Sequence, residues 1–497
     1  MLGDPLNASV LGQMTAAPMV TLEKSLSALK ERGFLVQTGP LELHFHSPIV
    51  REVVVDALTA EAAREMHVAA GLALENAFDA QGKSPAHPAE HAGRIATHLY
   101  AAGERERAGL WFARSADRRL SAGQFDAAAR DYARAIELGD LATRDTEDVL
   151  RWFAGLARAV KFVGTLPEAM EICEGVIARI DGKSTPGTEE GDERRVRVRI
   201  DAGRILGALH MFDAARAQLT SAEAIASTRA ELVKTALVAS AELAGRQGDF
   251  KRSSMLLERA QSIVTKAASS PERKVEEHKL LVSLGQANAA MGDHAAAMRH
   301  FDRACAVLPS DPVAACERHK LRTLIDYFAR DFRAAALDAE RAIDAARELG
   351  LSYEVALNLH NLGDLLVVLE DYPRAYGALK QSVALCDELG YDRLASHNRM
   401  FLAFLDAVAG DVEAEKVLVQ GIRYAEANDF TWDVLGGRQL LARLHHRRGD
   451  ADAARLEYQK LRDLARAAGN RLVADDCVTA LREMGAPLSQ PPPLSAS

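Results

Sequence analysis

LGQANAAMGDHAAAMRHFDRA, residues 284–304, is a helical segment, a Gly-Asp turn and a second helical segment with small residues at Ala297 and Ala304, and LGDLLVVLEDYPRAYGALKQS, residues 362–382, repeats the layout. The slot of Ala297 recurs at Ala128, Ala169, Ala215, Ser253, Ala335, Ala375, Glu415 and Ala454, with gaps of 41, 46, 38, 44, 38, 40, 40 and 39 residues. Chance placement of a common residue would not hold that spacing, and a period of about 20–50 residues marks a repeat architecture. Three residues before each slot stand Phe125, Leu166, Phe212, Phe250, His294, Phe332, Tyr372, Val412 and Ala451. An apolar side chain there plugs between two antiparallel helices, while alanine lets their backbones approach.

Each unit therefore reads as a helical hairpin whose inner face cannot be buried alone, so that neighbours must stack into a superhelix. Gly123, Gly164, Gly248, Gly292, Gly410 and Gly449 fall in the turns, and Gly350, Gly390 and Gly469 close second helices. The gap of 46 coincides with DGKSTPGTEEGD, residues 181–192, which predicts a lengthened loop.

Composition agrees with an all-α chain. Of 497 residues 48% are hydrophobic and only 5% aromatic, and the abundant Ala, Leu, Arg and Glu lose little freedom on helix formation. The net charge of −9 is spread along the chain, leaving no basic field for nucleic acid. No apolar run reaches the roughly 18–20 residues that span a bilayer, and the start, MLGDPLNASVLGQ, lacks a signal-peptide layout, so no membrane association and cytoplasmic residence are expected. Cys173, Cys305, Cys316, Cys386 and Cys477 are odd in number and never in a CxxC pair, which predicts small core residues instead of a disulfide or zinc framework.

With Leu284, Gly285, Gly292, Ala297, Phe301 and Ala304 as matching residues, the units resemble tetratricopeptide repeats in their longer variety of about 40 residues. Residues 20–80 differ: LEKSLSALKERG is an amphipathic helix, FLVQTG and LELHFHS are two short strands, and PIVREVVVDALTAEAAREMHVAAGLALE is a helix. That layout is winged-helix-like. The expected organisation is a connector over 1–80, repeats over 81–485 and a disordered Pro/Ser-rich tail over 486–497. ERGFLV (31–36), FHSPIVREVV (45–54) and HLYAAG (98–103) are similar to the segment joining ATPase core and repeats in bacterial signal-transducing ATPases, including activators of the maltose-regulator type and serine/threonine kinase or cyclase fusions. The resemblance implies a sensor or scaffold portion without the ATPase and kinase domains.

Catalytic signals fail on inspection. The P-loop lookalikes Gly182-Lys183-Ser184 and Gly82-Lys83-Ser84 carry Ile177 and Ala77 where the first glycine belongs. His87-Pro88-Ala89-Glu90-His91 has the HxxEH pattern, but proline puts His87 at or before the helix start, and His98 reads as a packing residue. Between 21 and 80 five Lys or Arg face nine Asp or Glu, which opposes DNA binding by the winged segment. No enzyme, metal or cofactor is expected. The predicted function is a protein-interaction scaffold or sensor whose first helices bind a protein or peptide, with a small-molecule effector as a further option. The alternatives are a DNA-binding regulator and a fragment of a split kinase or cyclase. Counting back from Ala375 and Ala454 selects His360, Asn361, Asp364, Gln439, Arg443 and His446 as groove residues, with His397 and Gln286 in neighbouring units; amide, imidazole and guanidinium groups can bind a peptide backbone or carboxylate.

Overall fold

The computed structural model describes residues 6–15, 17–37, 42–80, 88–139, 145–162, 166–227, 229–266, 270–428, 430–468 and 470–485. The tail 486–497, Gly82, Lys83, Ser84, His87, Gly164 and Gly469 lie outside them. By contact density the chain divides into two compact units, residues 1–159 with 171–180, and residues 160–170 with 181–497. Among the described residues no helix is long and apolar enough to cross a membrane.

The first unit opens with β1 (Leu6–Asn7), α1 (Ala8–Thr15), α2 (Met19–Glu31), β2 (Leu35–Gln37) and β3 (Glu42–Phe45). The strands form an antiparallel sheet of order β1-β3-β2, with Leu35 opposite Phe45 and Val36 opposite His44. Leu35 and Leu43 are its buried residues, so the helix followed by a β-hairpin is present as expected. The single helix expected after it is two, α3 (Pro48–Asp56) and α4 (Ala60–Ala80), because the Thr59 hydroxyl accepts from the Ala62 N–H at 3.2 Å and starts a new helix. Then follow α5 (Pro88–Ala101), α6 (Arg105–Ser121), α7 (Phe125–Leu138) and α8 (Thr146–Ala159). Trp152, Tyr132 and Phe153 fill this core. His98 is buried beside His67, their Nδ1 atoms 2.9 Å apart, as a packing residue would be.

A short 3₁₀ turn at Val160–Phe162 and α9 (Ala169–Lys183) lead to α10 (Glu189–Ala208) and α11 (Phe212–Ala226). The expected long loop at 181–192 is shorter than the insert: α9 runs through Gly182 and Lys183, and the Thr188 hydroxyl accepts from the Gly191 N–H at 3.1 Å to begin α10 at once. Hairpins α12 (Ala230–Arg246) with α13 (Phe250–Lys266), α14 (Pro271–Ala290) with α15 (His294–Val307), α16 (Pro312–Phe328) with α17 (Phe332–Glu348), and α18 (Ser352–Val368) with α19 (Tyr372–Leu389) follow. The array ends with α20 (Asp392–Val408) and α21 (Ala414–Ala427), α22 (Thr431–Arg447) and α23 (Ala451–Ala467), and the single α24 (Arg471–Glu483).

One device starts most second helices. A residue with positive φ ends the first helix, and the aspartate after it caps the next: Asp249, Asp293, Asp331 and Asp450 each accept an N–H three residues on at 2.9–3.1 Å. Such a cap contributes about 0.5–2 kcal/mol. The phase holds in helices with and without that cap, for Ala128, Ala169, Ala215, Ala297, Ala335, Ala375 and Ala454 are all fully buried and Ser253 nearly so. Glu415 is the exception. Asp411 instead accepts from the Glu413 N–H, two residues on, at 2.9 Å, so α21 begins at Ala414, which takes the buried slot and leaves Glu415 half-exposed. The expectation that Val412 plugs the hairpin fails with it, since Val412 is 77% exposed. Val412→Asp is accordingly expected to shift stability by no more than about 0.5 kcal/mol in a urea melt, whereas a buried Val412 would make it far costlier.

Candidate functional site

Within the second unit, residues eleven before the buried slots are Arg204, Glu242, Gln286, Leu324, Asp364 and Arg443, and residues fifteen before include Val238, Val282, Lys320, His360 and Gln439. The two offsets differ by four residues, about one turn of helix, so the paired positions share one face of each first helix. On α10, α12, α14 and α16 that face lines a cleft of about 480 Å³, whose walls include Arg204, Glu242, Gln286 and Lys320. Gln286 stands exposed in it. Charges along this face are paired from one first helix to the next: Arg204 with Glu242 at 3.0 Å, Lys234 with Glu276 at 2.7 Å, Lys320 with Glu354 at 2.6 Å and Arg393 with Asp433 at 3.1 Å. Lys234 is buried, and its two carboxylate partners, Glu231 and Glu276, compensate its lost hydration.

Further along, the imidazoles of His360 and His397 lie 4.6 Å apart, each against Phe401. Their tautomers follow from their partners. The buried Ser382 hydroxyl donates to the Ala356 carbonyl at 2.6 Å and accepts from Asn398 Nδ2 at 2.8 Å. That turns Asn398 Oδ1 towards His360, whose Nδ1–H donates to it at 2.8 Å, leaving Nε2 as an acceptor. Burial, and then the neighbouring His397, lower the His360 pKa to about 3, so the ring is neutral. His397 Nδ1 lies 3.0 Å from Asp433 Oδ1, while its buried Nε2 has no hydrogen-bond partner among the described residues.

Asp364 is one turn beyond His360 on α18. Burial raises its pKa above the ordinary carboxyl range, against the opposing charges of Arg443 and His397. His360 and His397 are in ring contact, and the charges of Arg443 and His397 act on Asp364. Asn361 and Gln439 are half-buried on the same helices and make no side-chain hydrogen bond among the described residues. His446 is exposed in the last turn of α22, and Gln286 belongs to the separate cleft. Sequence reading missed Arg393 and Asp433, and also Arg447, whose guanidinium lies 5.3 Å from the Tyr372 ring centre. Arg330 and Glu370, like His210, carry a positive φ in the turn slot held by glycine at 123, 248, 292, 410 and 449.

Cys173, Cys316, Cys386 and Cys477 are buried and Cys305 half-buried, none in a disulfide, and burial pushes the Cys173 and Cys477 thiols up to about 12. His91 is half-buried in α5, and among the described residues no group of three His, Cys, Asp or Glu side chains could hold a metal ion.

No protein-family profile matches the chain, and no curated protein is similar enough in sequence to count as a relative. Among solved structures it is similar to a Rap protein complexed with competence and sporulation factor (14% identity, TM-score 0.45, 69% of this chain and 98% of that one). Others are NprR in complex with its cognate peptide NprX (12%, 0.40, 68% and 99%) and a signal-transduction ATPase with a tetratricopeptide-repeat sensor from Pyrococcus horikoshii (13%, 0.39, 84% and 60%). By its own hairpins, turns and buried alanine slots, the chain is an all-α array of tetratricopeptide-type helical repeats.

Proposed function

We propose that the chain is a non-catalytic interaction module, a cytoplasmic scaffold or sensor in bacterial signal transduction, whose first helices hold a protein or peptide partner. The observation that carries this reading is the cleft itself: polar side chains of successive first helices, set at repeat-equivalent positions, line it around Gln286. The buried, proton-retaining thiols support a role in binding over nucleophilic chemistry. Residues 1–80 serve in this reading as a connector, and their acidic balance speaks against a phosphate-binding role.

The test is quantitative affinity for a partner isolated with the purified full chain. Arg443→Ala combined with Asn361→Ala is expected to weaken binding by about 1–3 kcal/mol, with the melting temperature nearly unchanged because neither side chain makes a hydrogen bond among the described residues. Unaltered affinity in the double variant would place the binding surface elsewhere.

A further inference from the structure

The seams by which α20 and α22 follow the preceding second helix are each closed by an ion pair. An acid five residues before the start of the first helix meets an arginine at the eighth residue of that helix: Asp387 on α19 with Arg399 on α20 at 2.6 Å, and Glu426 on α21 with Arg438 on α22. The seam into α18 has the same geometry and neither of those groups. Five residues before Ser352 stands Arg347, in the place of the acid, and the eighth residue of α18 is Leu359, in the place of the arginine.

With no pair to close it, this seam opens into a cavity of about 460 Å³ between α17, α18 and α19. Its floor is Val355, Leu359 and Leu385, continuous with the surrounding hydrophobic core, and its mouth carries Arg347, Gln381 and Ser352. Among the described residues Arg347 is the sole charged group in the wall. The carboxylate nearest in sequence that it meets is Asp344, one turn back on α17 at 3.5 Å and 74% exposed, a pair too solvated to hold the guanidinium firmly. Arg347 Nη2 donates to Gln381 Oε1 at 3.4 Å, which leaves the Gln381 amide nitrogen as a second donor at the mouth. Ala384, in the same wall, stands where the next hairpin carries Tyr424.

We propose that this cavity binds a small hydrophobic monocarboxylate, its carboxylate on Arg347 and its aliphatic body on Val355, Leu359 and Leu385. A guanidinium offers a carboxylate two parallel N–H bonds, so the ligand brings the acid that the seam lacks. The aliphatic body leaves water for an apolar floor. An amine would meet like charge at the mouth, and a protein partner needs a face of several hundred square ångströms, whereas a cavity of this size suits a small molecule. No lining residue is shared with the cleft around Gln286, so the site stands apart from partner binding there.

Titration calorimetry of the full chain with octanoate, octanol and acetate tests it. Octanoate is expected to saturate one site, with octanol and acetate each about tenfold or more weaker, the first for want of charge and the second for want of an apolar body. Arg347→Gln should cost octanoate about tenfold and bring it level with octanol. Ala384→Tyr, which installs the ring that the next hairpin carries, should exclude both. Arg347 and Ala384 are exposed, so both variants are expected to melt with the parent. Octanoate that does not saturate, that binds no better than octanol, or that binds both variants as tightly as the parent overturns the site.

Discussion

Asp433→Ala is expected to destabilise the second unit by about 3–5 kcal/mol, because removing one member of a buried ionic group leaves the others uncompensated. Asp433 is 5% exposed and receives Arg393 at 3.1 Å and His397 at 3.0 Å, while the Arg393 guanidinium also covers the Phe430 ring at 4.4 Å. One carboxylate thus ties α20 to α22, elements 40 residues apart. The measurement is a denaturant melt, with Asp433→Asn as the milder partner. A loss below about 1 kcal/mol for the alanine variant would mean that the pair behaves as an exposed one.

The same group predicts a pH dependence. Burial alone would raise the Asp433 pKa; the hydrogen bond with His397 and the charges of His397 and Arg393 outweigh it and hold the carboxyl at about 2. A folded-state pKa below the unfolded value of about 3.9 contributes stability that is present above that value. It is lost as pH falls from about 4 through 2, and amounts to about 2.5 kcal/mol. Asp433→Asn should flatten the acid limb of the stability profile by that amount.

Ala375→Phe and Ala297→Phe are each expected to cost about 1–3 kcal/mol or more, since the added ring must enter a helix crossing with no free volume. Both alanines are fully buried, and the crossing at α18–α19 is so close that a Cβ on Gly363 would lie 2.5 Å from Leu379 Cγ. Ala295, exposed two residues before Ala297 on α15, is the control. Equal melting of Ala295→Phe and Ala297→Phe would refute the repeat phase.

That phase was readable because its causes are local. The turn residue with positive φ, the capping aspartate and the alanine four positions further on lie within one short stretch of chain, so period and helix starts follow from sequence alone. Where reading slipped, a local competitor acted: Asp411 bonded two residues ahead instead of three, which delayed α21 to Ala414, and Thr59 opened a new helix inside an unbroken amphipathic pattern.

The repeat position puts His360, Asp364 and Arg443 at equivalent places on first helices, since helical periodicity decides direction. It could not decide which of those polar groups are spent within the protein. Arg393 is committed because Asp433 meets it from the next first helix, whereas Arg443 has no hydrogen-bond or ion-pair partner among the described residues, and a guanidinium looks the same in sequence either way. Arg330 with Asp476 and Glu370 with Arg447 depend on how four or more stacked helices turn relative to one another. Small rotations accumulated from hairpin to hairpin fix those meetings, and no short-range pattern encodes their sum.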